Sequence, residues 1–229
     1  MAFPFGDKVA TANIYIDGFN LYNGCVKKTQ CKWLDIGALC VALFPTLTIG
    51  TIHYFTSPIV KFRHDPGAPT RQAIYLRALA TIPNLVIHKE GWFATTAKLL
   101  PQYPLAYRPP LAQPTRPPQL VQVQRLEEKR TDVDIATTLL VDGFKGAFDE
   151  AVVISNDSDL APAIEAVRNV LGKPVGVVNP HPKGNMSGTL IKIASWHYRT
   201  INKRRLTECQ FPAILLDSEG KTITKPPEW

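Results

Sequence analysis

The chain has 229 residues, 20% of them charged, and a formal net charge of +7. This length is enough for one large or two small domains with a full core, and the composition lacks the biases of disordered, collagen-like or coiled-coil chains. The basic balance favours an anionic partner, because lysines and arginines that displace counterions from phosphates supply much of the non-specific affinity for nucleic acids. A solubilising surface is the alternative explanation of the same charge.

Apolar stretches are short throughout the chain, well below the roughly 18 residues that a membrane span requires. Residues 1–10 lack the apolar core and cleavage site of a secretory signal. We therefore expect a cytoplasmic protein with no membrane partner. The cysteines and histidines are scattered, without the paired spacing of a zinc site or a disulfide framework. Any bound metal should then be a hard ion with oxygen ligands.

Local apolar patterns and capping residues predict an alternation of strands and helices. In chain order we expect a strand at residues 12–16, helices at 19–26 and 36–44, a strand at 50–55, a helix at 71–82, strands at 85–88 and 120–125, a helix at 133–140, a strand at 151–154, a helix at 160–171, a strand at 175–178 and a helix at 188–201. Asp35 and Thr70 are the expected caps of the second and third helices.

This alternation predicts an α/β fold with a Rossmann-like parallel sheet covered by helices on both faces. Residues 1–180 would form the catalytic domain, and residues 181–229 would add a helix and a tail packed on the same domain. The tail, from residue 211 onward, is expected to be a short hairpin or irregular. Residues 101–118 contain seven prolines, which favours an extended loop that contacts substrate.

Acidic side chains follow two of the predicted buried strands. Asp17 ends the first strand, and Asp157 and Asp159 follow the strand at residues 151–154. Ligand sites of open parallel sheets form outside the carboxyl ends of the strands. A carboxylate buried there is costly unless a cation or hydrogen bonds compensate its charge. We therefore predict a site for Mg²⁺ or Mn²⁺, ions that prefer carboxylate oxygens and suit phosphate chemistry.

Each of these carboxylates also has a purely structural explanation. Asp17 could stabilise its own turn, Asp132 could cap the helix predicted after it, and Asp159 or Ser158 could cap the helix that follows them. Two carboxylates and two further oxygens within residues 156–159 exceed what one helix start needs. Asn20, three residues after Asp17, is expected to point toward the same carboxyl ends of the strands. It could bind a phosphate or a metal-bound water, or it could be a simple turn amide.

Two acidic pairs suggest other enzyme classes. Asp132 and Asp134 resemble the nucleophile pair of haloacid-dehalogenase-type phosphatases, but polar residues precede them here instead of an apolar strand. Asp157 and Asp159 follow a strand, as the acidic pair of a Toprim domain does. Toprim sites also use a glutamate after an earlier strand, where this chain has Asp17.

Three motifs together resemble the NYN family, a branch of the PIN-like nucleases. They are Tyr15-Ile16-Asp17-Gly18-Phe19-Asn20, Glu128-Lys129 leading to Asp132, and Ser155-Asn156-Asp157-Ser158-Asp159. Their order and spacing agree with the family, and the resemblance covers residues 12–178. Arg130-Thr131 stands where many relatives have a glycine-containing turn.

The resemblance implies a PIN-type fold and a metal-dependent ribonuclease. It assigns the metal to Asp17, Asp132, Asp157 and Asp159, with Asn20 as an auxiliary site residue and Mg²⁺ or Mn²⁺ as the cofactor. The expected partner is nucleic acid, most of all RNA, and a homo-oligomer is compatible with the sequence. The alternatives are a non-catalytic RNA-binding or complex-assembly module and a Toprim-like or small-phosphate metal hydrolase.

Basic residues would guide the phosphate backbone in the ribonuclease hypothesis, although ordinary solvated surface explains any one of them equally well. The predicted nucleic-acid contacts are Lys61, Arg63, Arg71, Lys129, Arg130, Lys203, Arg204 and Arg205.

Overall fold

The computed structural model describes residues 10–61, 65–101 and 120–229. Arg63 and nearly all of the predicted proline-rich loop lie outside the described residues. Within the described ranges, no helix combines the length and the apolarity needed to cross a membrane.

Ten strands and seven α-helices make up the regular structure of the described chain. The strands are β1 (Thr11–Asp17), β2 (Thr48–Phe55), β3 (Leu85–His88), β4 (Trp92–Pro101), β5 (Leu120–Lys129), β6 (Glu150–Ile154), β7 (Val175–Val178), β8 (Trp196–Tyr198), β9 (Ile214–Leu216) and β10 (Thr222–Thr224). The helices are α1 (Gly18–Leu21), α2 (Ile36–Leu43), α3 (Ala68–Leu79), α4 (Thr131–Phe144), α5 (Ala161–Asn169), α6 (Gly188–Ile193) and α7 (Lys203–Glu208). A π-helical turn (Tyr22–Val26) continues α1, and 3₁₀ turns occur at Ser158–Leu160 and Lys183–Asn185.

Six strands form one parallel sheet in the order β3-β2-β1-β6-β7-β8. The chain runs outward from β1 in one direction and returns to β6 on its other side, so the strand order reverses between these two neighbours. Ile14 lies opposite Val152, and Ile16 lies opposite Ile154. The carboxyl ends of β1 and β6 therefore meet at the point where open α/β sheets bind their ligands. The predicted fold class is confirmed.

Both faces of the sheet are covered, because alternate side chains of each buried strand point in opposite directions. Ile14 and Ile16 belong to one apolar cluster, and Tyr15 between them belongs to the other. The first cluster includes α2 and residues of the C-terminal segment, among them Leu206 and Phe211. The second cluster contains the buried sides of α4 and α5. Residues after 200 thus share the core of the main sheet.

Strands β4 and β5 form an antiparallel hairpin outside the main sheet. Trp92 lies opposite Lys129 at its base, and the ring of Phe93 meets the ring of Phe19 edge-on at 5.4 Å. The sequence indicated only part of β5 and none of β4. The hairpin base is therefore anchored next to α1, at the end of β1.

Two predicted helices begin earlier in the structure than expected. The helix expected at 71–82 begins at Ala68 with Gly67 as its N-cap, so Thr70 is not the cap. Pro69 explains the earlier start, because its fixed φ and missing N–H suit the first helical turn. The helix expected at 133–140 is α4, which begins at Thr131 and runs to Phe144.

The single helix expected at 188–201 is wrong. The structure has α6, the edge strand β8 and then α7, which is capped by the Asn202 side chain. Trp196 of β8 lies across Gly176 of β7, where a Cβ would overlap its ring, and the Trp196 indole donates a hydrogen bond to Glu150. Helical spacing could not reveal this strand, because its partner is an open sheet edge formed by distant residues.

The turn between β5 and α4 depends on an unusual backbone conformation at Arg130. Its φ is 87°, in the left-handed region that glycine adopts without steric cost. The Arg130 guanidinium pairs with Asp134 at 3.0 Å, one helical turn further on. An exposed ion pair of this kind contributes little stability, so the backbone conformation should dominate the effect of a substitution.

We expect Arg130→Gly to have a free energy of unfolding about 1 kcal/mol higher than Arg130→Ala, because only glycine relieves the strain of the positive φ. Both variants lose the ion pair with Asp134, so the comparison isolates the backbone. Urea unfolding followed by circular dichroism measures the difference. An alanine variant as stable as the glycine variant would contradict the left-handed conformation.

Candidate functional site

Asp17 is the last residue of β1 and is 6% exposed. Its Oδ1 accepts a hydrogen bond from the backbone N–H of Asn20 at 2.8 Å and so caps α1. Its Oδ2 accepts one from the Ser155 hydroxyl at 3.2 Å. The turn-stabilising role considered for Asp17 therefore occupies one of its oxygens, and the other faces the loop that follows β6.

Ser155 connects the ends of the two central strands. While its hydroxyl donates to Asp17, the same oxygen accepts a hydrogen bond from the backbone N–H of Asp157 at 3.1 Å. Asp157 in turn caps the 3₁₀ turn by accepting from the N–H of Asp159 at 3.0 Å. The cap is therefore Asp157, and the interpretations of Ser158 or Asp159 as the cap are wrong. Asp17 and Asp157 share one edge of the sheet.

Asn20 is more than a turn amide. Its Oδ1 accepts a hydrogen bond from the backbone N–H of Asn156 at 3.0 Å and lies 3.1 Å from Nε2 of His181. The side chain of Asn156 accepts a further hydrogen bond from the N–H of Ser187 at 2.7 Å. These contacts tie α1 to the loops after β6 and β7, so Asn20 holds the edge of the site in place.

Asp132 lies half-buried in the first turn of α4. It is not a helix cap, because the N-cap position belongs to Arg130. Burial and the charges of Asp157, Glu128 and Asp159 raise the pKa of Asp132 to about 6. The charges of three other acidic residues therefore act on Asp132, although the sequence connected Asp132 with the site mainly through the family resemblance.

Asp17 is affected in the same way. Burial raises the pKa of Asp17 to about 6, and the charges of Asp132 and Glu128 add to the effect. The hydrogen bonds from the Asn20 N–H and the Ser155 hydroxyl partly oppose it. The mutual repulsion of these carboxylates shows that β1, α4 and the loop after β6 bring them into one electrostatic cluster.

Glu128, near the end of β5, is the site residue that sequence reasoning missed. Its Oε1 accepts hydrogen bonds from the hydroxyl of Ser57 at 2.5 Å and from that of Thr131. Gly91 packs against this group, where a Cβ would overlap Ser57 Oγ and approach Glu128 Oε1 to 2.9 Å. The signal was present in the second motif, but its polar residues suggested a loop leading to Asp132 instead of a strand that aims Glu128 into the site.

The five carboxylates of this acidic cluster are Asp17, Glu128, Asp132, Asp157 and Asp159. As they stand, no three His, Cys, Asp or Glu side chains of the described residues are arranged to hold a metal ion. Several of the carboxylate oxygens instead accept hydrogen bonds from Asn20, Ser155, Ser57 and Asp159. The donor set still fits a hard divalent cation, because it is made of carboxylate oxygens whose mutual repulsion a cation would relieve.

Most of the predicted nucleic-acid contacts are engaged within the protein. The ion pairs are Arg71 with Asp65, Lys129 with Glu127, Arg130 with Asp134, and Arg204 with Glu208. Arg205 donates to the backbone carbonyl of Ala42 on α2. Lys61 and Lys203 are exposed and have no ion pair within the described part of the chain. No hydrogen bond or ion pair there joins α7 to the acidic cluster.

The chain was compared with known proteins. The NYN domain model matches residues 111–202. The 6-hydroxy-3-succinoylpyridine 3-monooxygenase HspA of Pseudomonas putida is 32% identical over 94% of this chain and 74% of its own length. A crystal structure of a Vibrio parahaemolyticus protein of unknown function superimposes with a TM-score of 0.52, at 16% identity, over 87% of this chain and 97% of that one. The last similarity concerns the fold alone.

The raised pKa of Asp17 predicts how stability depends on pH in EDTA. A carboxyl whose folded pKa lies above its unfolded value stabilises the fold when protonated, and this contribution is lost as pH rises from about 4 through about 6. We expect Asp17→Asn to gain about 1–3 kcal/mol relative to the native chain between pH 4.5 and 7.5. Urea unfolding at both pH values measures this, and a constant difference would contradict the assignment.

Proposed function

This chain belongs to the NYN domain family, and we propose that it is a metal-dependent nuclease that hydrolyses the phosphodiester bonds of RNA. The observation that carries the proposal is the acidic cluster at the carboxyl ends of β1 and β6. A phosphodiester is an anion and is repelled by carboxylates. A site of this kind therefore suits a phosphate only together with a divalent cation, which is Mg²⁺ or Mn²⁺ in this proposal.

In this proposal Asp17, Asp157 and Asp159 would hold the ion, with Glu128 and Asp132 at its flanks. When bound, Mg²⁺ or Mn²⁺ polarises the scissile phosphate and neutralises charge developing on the leaving oxygen. Ser155 keeps Asp17 and Asp157 at a constant spacing through its two hydrogen bonds.

Asp132 is the residue that we assign to the attacking water. It lies in the first turn of α4, and the charges of Asp157 and Asp159 act on it, so its carboxylate is close enough to the proposed ion to orient a water bound there. Asn20 is held by the Asn156 N–H and keeps the rim of the site rigid. The chain's net charge of +7 favours association with a polyanion. RNA is preferred to DNA because the three motifs resemble the ribonucleases of this family.

A second candidate function is supported by the HspA similarity. That protein is named as a monooxygenase of a pyridine compound, and the alignment covers 94% of this chain. One fold can carry unrelated activities, so membership of the family does not rule out this one. The substrate that the similarity favours is a small heteroaromatic acid. We prefer the nuclease because the acidic cluster suits phosphodiester hydrolysis directly. Conversion of 6-hydroxy-3-succinoylpyridine without any RNA cleavage would favour the second candidate.

We expect the native protein to cleave a fluorescently labelled RNA with Mn²⁺ or Mg²⁺ and to lose activity in EDTA. Asp132→Asn and Asp157→Asn should each reduce cleavage at least 100-fold, because each removes a charge from the acidic cluster. Gel electrophoresis measures the products. A well-matched control is Asp134→Asn, on the same helical turn but paired with Arg130, which should cleave normally.

Cleavage that persists in EDTA or in Asp157→Asn would mean that another site or a contaminant acts. Tight, salt-sensitive RNA binding without turnover at any metal concentration would favour the non-catalytic RNA-binding alternative.

Metal binding can also be measured without turnover. A ligand that binds only the folded state raises its stability by mass action, so we expect millimolar Mn²⁺ to raise the Tm of the native protein by several degrees. Asp17→Asn should lose most of this increase, whereas Asp134→Asn should keep it. Differential scanning fluorimetry at pH 7.5 with and without Mn²⁺ gives the shifts. Equal shifts in both variants would place the ion elsewhere.

A further inference from the structure

A cavity of about 350 Å³ lies beside the end of β1. Gly18 and Phe19, which directly follow Asp17, form part of its wall. The other walls come from β2, α3 and the C-terminal tail. Its volume falls in the range of small-molecule sites, and it shares a wall with the segment that carries the first carboxylate of the acidic cluster.

Five of the described residues that line the cavity are aromatic. They are Phe19, Tyr22, Tyr54, Tyr75 and Trp229. The ring of Trp229 meets that of Tyr75 at 5.8 Å with a steep interplanar angle of 72°, and the ring of Tyr75 meets that of Tyr54 at 6.5 Å and 81°. These edge contacts set the aromatic walls at angles to one another. Aromatic walls of this kind favour a flat, aromatic ligand.

The Tyr54 hydroxyl is a polar group of the cavity wall. Tyr54 is 6% exposed, and within the described ranges its hydroxyl has no hydrogen-bond partner. The Tyr75 hydroxyl, by contrast, donates to the carbonyl of Leu34 at 2.8 Å. Burial raises the pKa of Tyr54 well above its usual value, so its hydroxyl remains a donor. A ring nitrogen or a carbonyl of a ligand is a suitable acceptor for this donor.

Glycine at position 18 allows α1 to pack closely against β2. A Cβ there would come within 2.7 Å of Tyr54 Oη and of the Phe55 carbonyl oxygen. Close packing at the cavity wall therefore requires glycine directly after Asp17.

Two cations line the same cavity, Lys32 and Arg71. Arg71 pairs closely with Asp65, at 2.5 Å, and more loosely with Glu228, at 3.7 Å. The loose pair leaves the guanidinium able to approach an acidic substituent of a ligand. Arg71, which the sequence predicts as a contact of the phosphate backbone, thus also belongs to the cavity wall.

We propose that this cavity binds a planar heteroaromatic ring, stacked on its aromatic walls and hydrogen-bonded by the Tyr54 hydroxyl. The ring is either the base of an RNA nucleotide next to the cleaved phosphate, which rests on the proposed function, or part of a free heteroaromatic acid. Ring binding itself requires neither a metal ion nor cleavage.

Isothermal titration calorimetry in EDTA tests the proposal with two kinds of probe, the four ribonucleoside monophosphates and pyridine-3-carboxylate. Binding of a monophosphate identifies the ring as a base, and binding of the pyridine acid alone identifies it as a free ring. Ala68 lines the cavity, whereas Ala73 on the same helix is exposed. Ala68→Phe should weaken binding at least tenfold by filling the cavity, and Ala73→Phe should bind normally.

Tyr54→Phe is the second variant, because it keeps the ring and removes only the hydroxyl. We expect it to bind several-fold more weakly. Failure of every probe to bind, or equal binding by Ala68→Phe and the native protein, would overturn the proposal. A protein that cleaves RNA but binds no probe would refute the ring site and leave the proposed nuclease intact. A protein that binds a probe but cleaves no RNA would refute the proposed nuclease and leave the ring site intact.

Discussion

The constraint on which the site depends is the burial of like charges at the junction of β1 and β6. Burial and mutual repulsion raise the pKa of Asp17 and Asp132 to about 6. The hydroxyl of Ser155 partly compensates the electrostatic cost of this burial, because it donates a hydrogen bond to Asp17 and accepts one from the backbone N–H of Asp157. Parallel pairing of β1 with β6 brings those segments together, so the sheet topology and the electrostatics of the site have one origin.

Polar side chains with no charge form the frame around this cluster. Asn20 bonds to the loop after β6, and Ser57 and Thr131 bond to Glu128. Gly91 allows the hairpin base to approach Ser57 closely. Neutral donors suit this task, because they stabilise carboxylates without neutralising the charge that would attract a cation.

The aromatic cavity is lined by Gly18 and Phe19, which directly follow Asp17 of the acidic cluster. The chain belongs to the NYN domain family and is also similar to a protein named as a monooxygenase of a pyridine compound. The fold alone does not decide between such chemistries. In the nuclease that we propose, the acidic cluster would act on a phosphate through a cation, and the cavity would bind the neighbouring base.

The sequence by itself determined the buried strands and the positions of Asp17, Asp157 and Asp159 at their ends, because apolar runs and turn residues are local signals. Asp132 was recognised through motif order. Only the tertiary structure decided the role of Glu128, the left-handed Arg130, the edge strand β8 and the cavity. Each depends on which distant segments pair or pack together, and local periodicity reports that a residue is buried without saying what it is buried against.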